Sequence, residues 1–146
     1  MNNLEGLMKK GIMILFLLLM TMTIFAEIIP VEIVNNADDS NGLILVSKFR
    51  DLIRKSPAYT ISYNKAEPHF KIVIDTMDRF KDDKDWEGSS IIYNYTILIS
   101  MGEMDFYGYN QLGFVGKNHL DSIANVIYSE LDEFIETFLS LIADAY

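Results

Sequence analysis

The stretch Ser90–Ser100, SIIYNYTILIS, decides how the rest of this chain is read. Ile91, Tyr93, Tyr95, Ile97 and Ile99 fall on one side of it; Ile92, Asn94, Thr96, Leu98 and Ser100 fall on the other. Unbroken period-two alternation of β-branched and aromatic residues specifies a strand with one apolar side. Downstream, Met101-Gly102-Glu103-Met104-Asp105 reads as a turn, and Phe106 to Val115 as the return strand of a hairpin, with Gly108 and Gly113 marking bulges or weak points. Upstream, Phe70, Ile72 and Ile74 alternate with Lys71, Val73 and Asp75 in a second strand. Tyr59–Tyr63 alternates as a third, and Asn64–Pro68 forms the turn between these two.

Two amphipathic segments enclose these strands. Leu45, Val46, Phe49, Leu52 and Ile53 recur at three- and four-residue spacing and predict a helix over Asn41–Lys55. Asp39 or Ser40 would accept from its first free N–H groups, and Arg50, Arg54 and Lys55 suit its negative end. Asp51 and Lys55 are placed to pair, and Ser56-Pro57 ends the helix. Ile123, Ile127, Leu131, Phe134, Ile135, Phe138 and Ile142 predict a longer helix over about His119–Ala143. Ile28–Asn35 reads as a short first strand, with Pro30 pointing to an edge position or a strand start. The expected fold class is α+β, ordered β-α-β-β-β-β-α. Its sheet is mostly antiparallel, of 4–5 strands, with both helices on one face.

The N-terminus has a different character. Lys9 and Lys10 precede the apolar run Gly11–Met20, which continues through Thr21-Met22-Thr23-Ile24-Phe25 to Ala26. A basic start, an apolar stretch and a small residue are the parts of a secretory signal peptide. The run falls short of the roughly 20 residues that span a bilayer, and no basic stop-transfer cluster follows it. We therefore read residues 1–26 as a signal cleaved after Ala26, Met8 as a more natural start than Met1, and residues 27–146 as one α+β domain. Ile24, three residues before the cut, is bulkier than such a site prefers and could shift it; the alternative to cleavage is an uncleaved N-terminal anchor. Removing the segment takes two lysines and one glutamate, so the net charge of −9 falls to −10. An acidic chain of this kind excludes unspecific nucleic-acid binding, which requires basic charge. Its membrane contact is confined to the signal before cleavage.

The chain has no cysteine. That excludes a disulfide scaffold, a thiolate metal site, a cysteine nucleophile and a cysteine-linked lipid. There is no G-x-S-x-G elbow and no G-x-x-x-x-G-K-[ST] or G-x-G-x-x-G loop. His69 and His119 are the only histidines, too few for a histidine metal set, and His119 is placed to begin the final helix. Adjacent carboxylates such as Asp82/Asp83 and Asp132/Glu133 diverge on regular elements and make poor acid–base pairs. Asn94-Tyr95-Thr96 matches a glycosylation sequon, but it lies inside a strand and reads as chance.

Two features invite a functional reading. The loop Asp78–Gly88 carries Phe80, Asp83, Asp85, Trp86 and Glu87, the candidate interaction residues of this chain. A calcium-loop register starting at Asp83 gives Asp85, Glu87 and Gly88 but reaches Asn94 at its twelfth position, inside the strongest strand. We read the loop as a solvated hairpin connection, with Trp86 pinning it onto the domain. The final helix has six acids (Asp121, Glu130, Asp132, Glu133, Glu136, Asp144) and no lysine or arginine, which reads as a solvated outer face. An acidic partner-binding face is the alternative.

The run Asp38–Pro57, DDSNGLILVSKFRDLIRKSP, resembles the first helix of small exported bacterial α/β proteins of unknown function. Gly113-Phe114-Val115-Gly116 is similar to a step before their last helix, where a cysteine often stands. The layout also looks like the modules of envelope assembly accessory proteins. The resemblance implies an exported compartment and this fold, and no activity; any disulfide of such relatives is absent here. No catalytic, cofactor-binding or metal residue is assigned. The reading is an exported, non-enzymatic domain of the periplasm or the extracellular space that works through protein contacts. A small-ligand or divalent-cation module is the alternative, and a secreted hydrolase a more distant one. Intact mass of the exported form should place its first residue at Glu27; a mature chain still carrying residues 9–25 excludes cleavage.

Overall fold

The computed structural model describes residues 28–144, so the signal segment lies outside the described residues. The elements are β1 (Ile29–Ala37), α1 (Ser40–Lys55), β2 (Tyr59–Ile61), β3 (His69–Asp78), β4 (Ser90–Met101), β5 (Met104–Gly116), a single 3-10 turn (Lys117–His119) and α2 (Leu120–Asp144). The fold is α+β, with a five-stranded sheet in the order β2-β1-β3-β4-β5.

The sheet is mixed. β3, β4 and β5 form a long antiparallel meander, in which Ile72 pairs with Ile97 and Ile91 with Val115. β1 enters between β2 and β3 and runs parallel to both. Of the two readings of Pro30, the strand start holds, since it is the second residue of β1, and the edge position is corrected; the ladder explains why proline is tolerated inside the sheet. Ile29 donates to Ala58 C=O at 2.8 Å and Val31 C=O accepts from Ser62 at 2.9 Å, so both turn towards β2. Pro30 therefore faces the β3 side, where the β1–β3 register begins only at Val31. No donor is missed there.

Alternation along each strand builds the core. Val31, Ile72, Ile74, Ile91, Tyr95 and Ile97 point to one side and are buried. Leu45, Val46, Phe49 and Ile53 of α1 cover them, with Leu120, Ala124, Ile127, Leu131 and Ile135 of α2. Leu52, Ile123, Phe134 and Phe138 are half-buried at its margin, and Ile142 is exposed. Both helices thus lie on one face of the sheet.

Asp39 fixes where α1 begins. One of its carboxylate oxygens accepts from the Gly42 N–H at 2.8 Å, and the other from the Thr76 hydroxyl of β3 at 2.6 Å. The cap is thereby also a joint between helix and sheet. The joint requires glycine at position 42, because a methyl group there would overlap the Thr76 side chain. Gly42→Ala should lower stability by about 1–3 kcal/mol, read as a shifted denaturant midpoint with an unchanged slope.

Candidate functional site

The helices leave the other face of the sheet uncovered among the described residues. Strand pairing assigns that face row by row: His69, Ser100 and Asp105; then Glu32, Lys71, Leu98 and Tyr107; then Val34, Val73, Thr96 and Asn110. Next come Asn36, Asp75, Asn94 and Leu112, and finally Met77, Ile92 and Phe114. The face is polar at one end and apolar at the other.

At the polar end a charge network replaces a second helix layer. The buried His69 places Nε2 3.1 Å from Glu32 Oε2 and Nδ1 2.7 Å from the Glu67 carbonyl. Lys71 lies 3.6 Å from Glu32 and donates to Asp105 at 2.7 Å, and Lys65 reaches Glu32 at 3.6 Å. Burial alone would raise the Glu32 carboxyl, but the His69 hydrogen bond and the charges of Lys71 and Lys65 hold it below its ordinary 4.5. The hydrogen bond between Lys71 and Asp105 lifts the amine and lowers the carboxyl. Both ring nitrogens of His69 are occupied, so it has no free nitrogen to take a proton from the neighbouring Ser100. This geometry does not favour a hydrolase.

In the middle, Asp75 accepts from Asn36 at 2.9 Å and from Asn94 at 3.3 Å, and Asn110 donates to Asn94 at 2.7 Å. At the apolar end, Met77, Leu112 and Phe114 are 51%, 65% and 69% exposed.

The charged loop joins this apolar end. The Arg79 guanidinium sits 5.0 Å from the Phe114 ring centroid and 5.1 Å from that of Phe80. Phe80 in turn lies 6.2 Å from Trp86. Trp86 is 57% exposed, which corrects the expectation that it pins the loop. Polar bonds do that work: Asn41 donates to Gly88 C=O at 2.7 Å, and the Gly88 N–H donates to Asp78 at 2.6 Å. Two of the candidate residues, Phe80 and Trp86, thus extend the sheet's apolar patch through Arg79. Asp83, Asp85 and Glu87 do not converge. Asp83 spends its carboxylate on the Asp85 N–H at 3.1 Å, and among the described residues no group of three or more acids or histidines is placed to hold a metal ion. The sequence reading missed Arg79 and Phe114; their contact spans loop and β5, and nothing local signals it.

The acids of α2 also read differently in three dimensions. Asp121 pairs with Lys48 at 2.6 Å. The Tyr95 hydroxyl donates to Glu130, and the Tyr59 hydroxyl to Asp132. Asp121, Glu133, Glu136 and Asp144 are exposed and fit a solvated outer face, whereas Glu130 and Asp132 are half-buried against the sheet. Burial, then the Asp132 hydrogen bond and charge, push the Tyr59 phenol up; burial and nearby Glu133 raise the Glu130 carboxyl. His119 closes the turn that leads into α2.

No protein-family model matches the chain, and no curated protein matches it.

Glu32 and Glu130 should respond to substitution in opposite directions. The folded-state value of Glu32 is depressed, so its contribution is present above the unfolded 4.5 and lost as pH falls through the folded value. Glu32→Gln should cost about 1–3 kcal/mol at neutral pH, a loss that shrinks in acid. Glu130 is raised, so its charge opposes folding above its folded value. Glu130→Gln keeps an acceptor for Tyr95 and should leave Tm unchanged or higher at pH 7, with the gain vanishing below pH 4. Thermal melts across pH check both signs.

Proposed function

We propose that this protein is an exported domain of the periplasm or extracellular space that acts by binding another protein, without catalysis of its own. The observation that carries the reading is the continuous surface of Met77, Ile92, Leu112 and Phe114 with Arg79, Phe80 and Trp86. Exposed apolar and aromatic side chains gathered beside one guanidinium are the composition of a contact surface. Aromatic and arginine side chains also dominate the energetics of such surfaces.

The basic and apolar segment before Ala26 supports the compartment. The described helices include none long and apolar enough to cross a membrane. The resemblance of Asp38–Pro57 to small exported bacterial proteins points the same way. The alternative of a divalent-cation module has less support, since the loop carboxylates stand apart.

The test is affinity capture from envelope extract with the purified protein, compared with Met77→Lys and Trp86→Ala. Both side chains are exposed, so both variants should fold as the parent does. A partner should be held by the parent and lost by at least one variant. If the same proteins are captured by all three, or none exceeds controls, the reading fails.

A further inference from the structure

The two edges of the sheet are managed in opposite ways. β2 is three residues long and is followed by a turn carrying Lys65, Glu67 and Pro68, a short and charged edge of the kind that resists pairing. β5 is thirteen residues long and contains no lysine, arginine or proline. Its one charged residue, Asp105, is held inward by Lys71 at 2.7 Å. From Phe106 to Gly116 the strand carries no charge, in a chain of net charge −9. This neutral strip is where two acidic copies meet with the least repulsion.

The ladder shows which backbone groups are free. The Lys117 N–H donates to Ser89 C=O at 3.0 Å. Hydrogen-bonded pairs alternate along an antiparallel ladder, so Val115, Gly113 and Gln111 turn towards β4. Asn110, Leu112, Phe114 and Gly116 turn their N–H and C=O groups outward, where no described element covers them. The register is regular over this segment; the irregularity at Ile97/Leu98 lies beyond it.

We infer that the β5 edge pairs antiparallel with the β5 edge of a second copy of this chain, with Gly113 on the two-fold axis. That register sets Leu112 opposite Phe114 of the other copy, and Phe114 opposite its Leu112. Asn110 and Gly116 pair in the same way. Every outward backbone group from Asn110 to Gly116 then meets a donor or acceptor, as isologous pairing requires. Leu112 and Phe114, both more than half exposed, gain an apolar cross-strand partner on the open face. Gly113 suits the axis for a separate reason: a methyl group there would run into the Tyr93 ring, so the position presents only backbone.

The experiment reads mass against concentration for the purified protein by sedimentation velocity, with two variants. Leu112→Lys sets a charge into each cross-strand pair and should raise the dimer dissociation constant about tenfold or more. Phe114→Pro removes an outward N–H that β4 does not use and should do the same. Because the chain has no cysteine, register can be read separately. A mixture of Leu112→Cys and Phe114→Cys proteins should form disulfide-linked dimers on mild oxidation, while each alone should form few. Paired strand residues stand about 5.5 Å apart, within disulfide range. A single-chain mass at every micromolar concentration overturns the inference, as does a dimer indifferent to both edge variants or a mixture that does not cross-link. Met77 and Trp86 lie off this edge, so failure of self-pairing and failure of the partner-binding reading are distinguishable.

Discussion

Two helices cover one face of a five-stranded sheet, and the rest of the molecule follows from that one-sidedness. On the covered face, apolar residues can fill the core without polar compensation, which is why isoleucine dominates the inward positions of β3 and β4. On the other face each row must be stable against water by its own means. The Glu32, His69, Lys71 and Asp105 network does this with charge, and the Asp75 row does it with amide hydrogen bonds. The Met77, Ile92 and Phe114 row has neither device and stays partly exposed. The functional reading rests on that difference between rows.

The covered side has its own polar requirement. Tyr59 and Tyr95 bring hydroxyl groups to the interface between sheet and helix, and a buried hydroxyl without a partner is costly. α2 supplies the acceptors, Asp132 and Glu130. Its lack of lysine and arginine is thus partly a consequence of packing. Acids that carry tyrosine hydrogen bonds need no neighbouring cation. The cost is visible in Glu130, whose carboxyl is raised by burial.

Much of the fold was legible in the sequence, because periodicity is local. Ser90–Ser100 shows the period-two signal of a sheet with one covered face, both helices show their apolar stripes, and the N-cap of α1 narrows to Asp39 or Ser40, of which the structure uses Asp39. Strand order was less legible. Pro30 marks an edge only if the ladder reaches it, and whether it does depends on β3, some forty positions away. The site was less legible still. Phe80 and Trp86 could be singled out by residue type, but their link to Phe114 runs through Arg79 across the sheet. Trp86 was misjudged because the average burial of tryptophan says little about one held in a loop by other residues' hydrogen bonds.

The brevity of β2 has a consequence for growth. A sheet with two long open edges can add copies at both and extend without limit, as fibrils do. Here one edge is long and the other offers three residues beside a charged turn. Chains joined at the long edge leave only short ends, so the geometry closes on itself. A protein with one long, nearly uncharged margin is thereby shielded from filament formation by a strand of only three residues at the opposite margin.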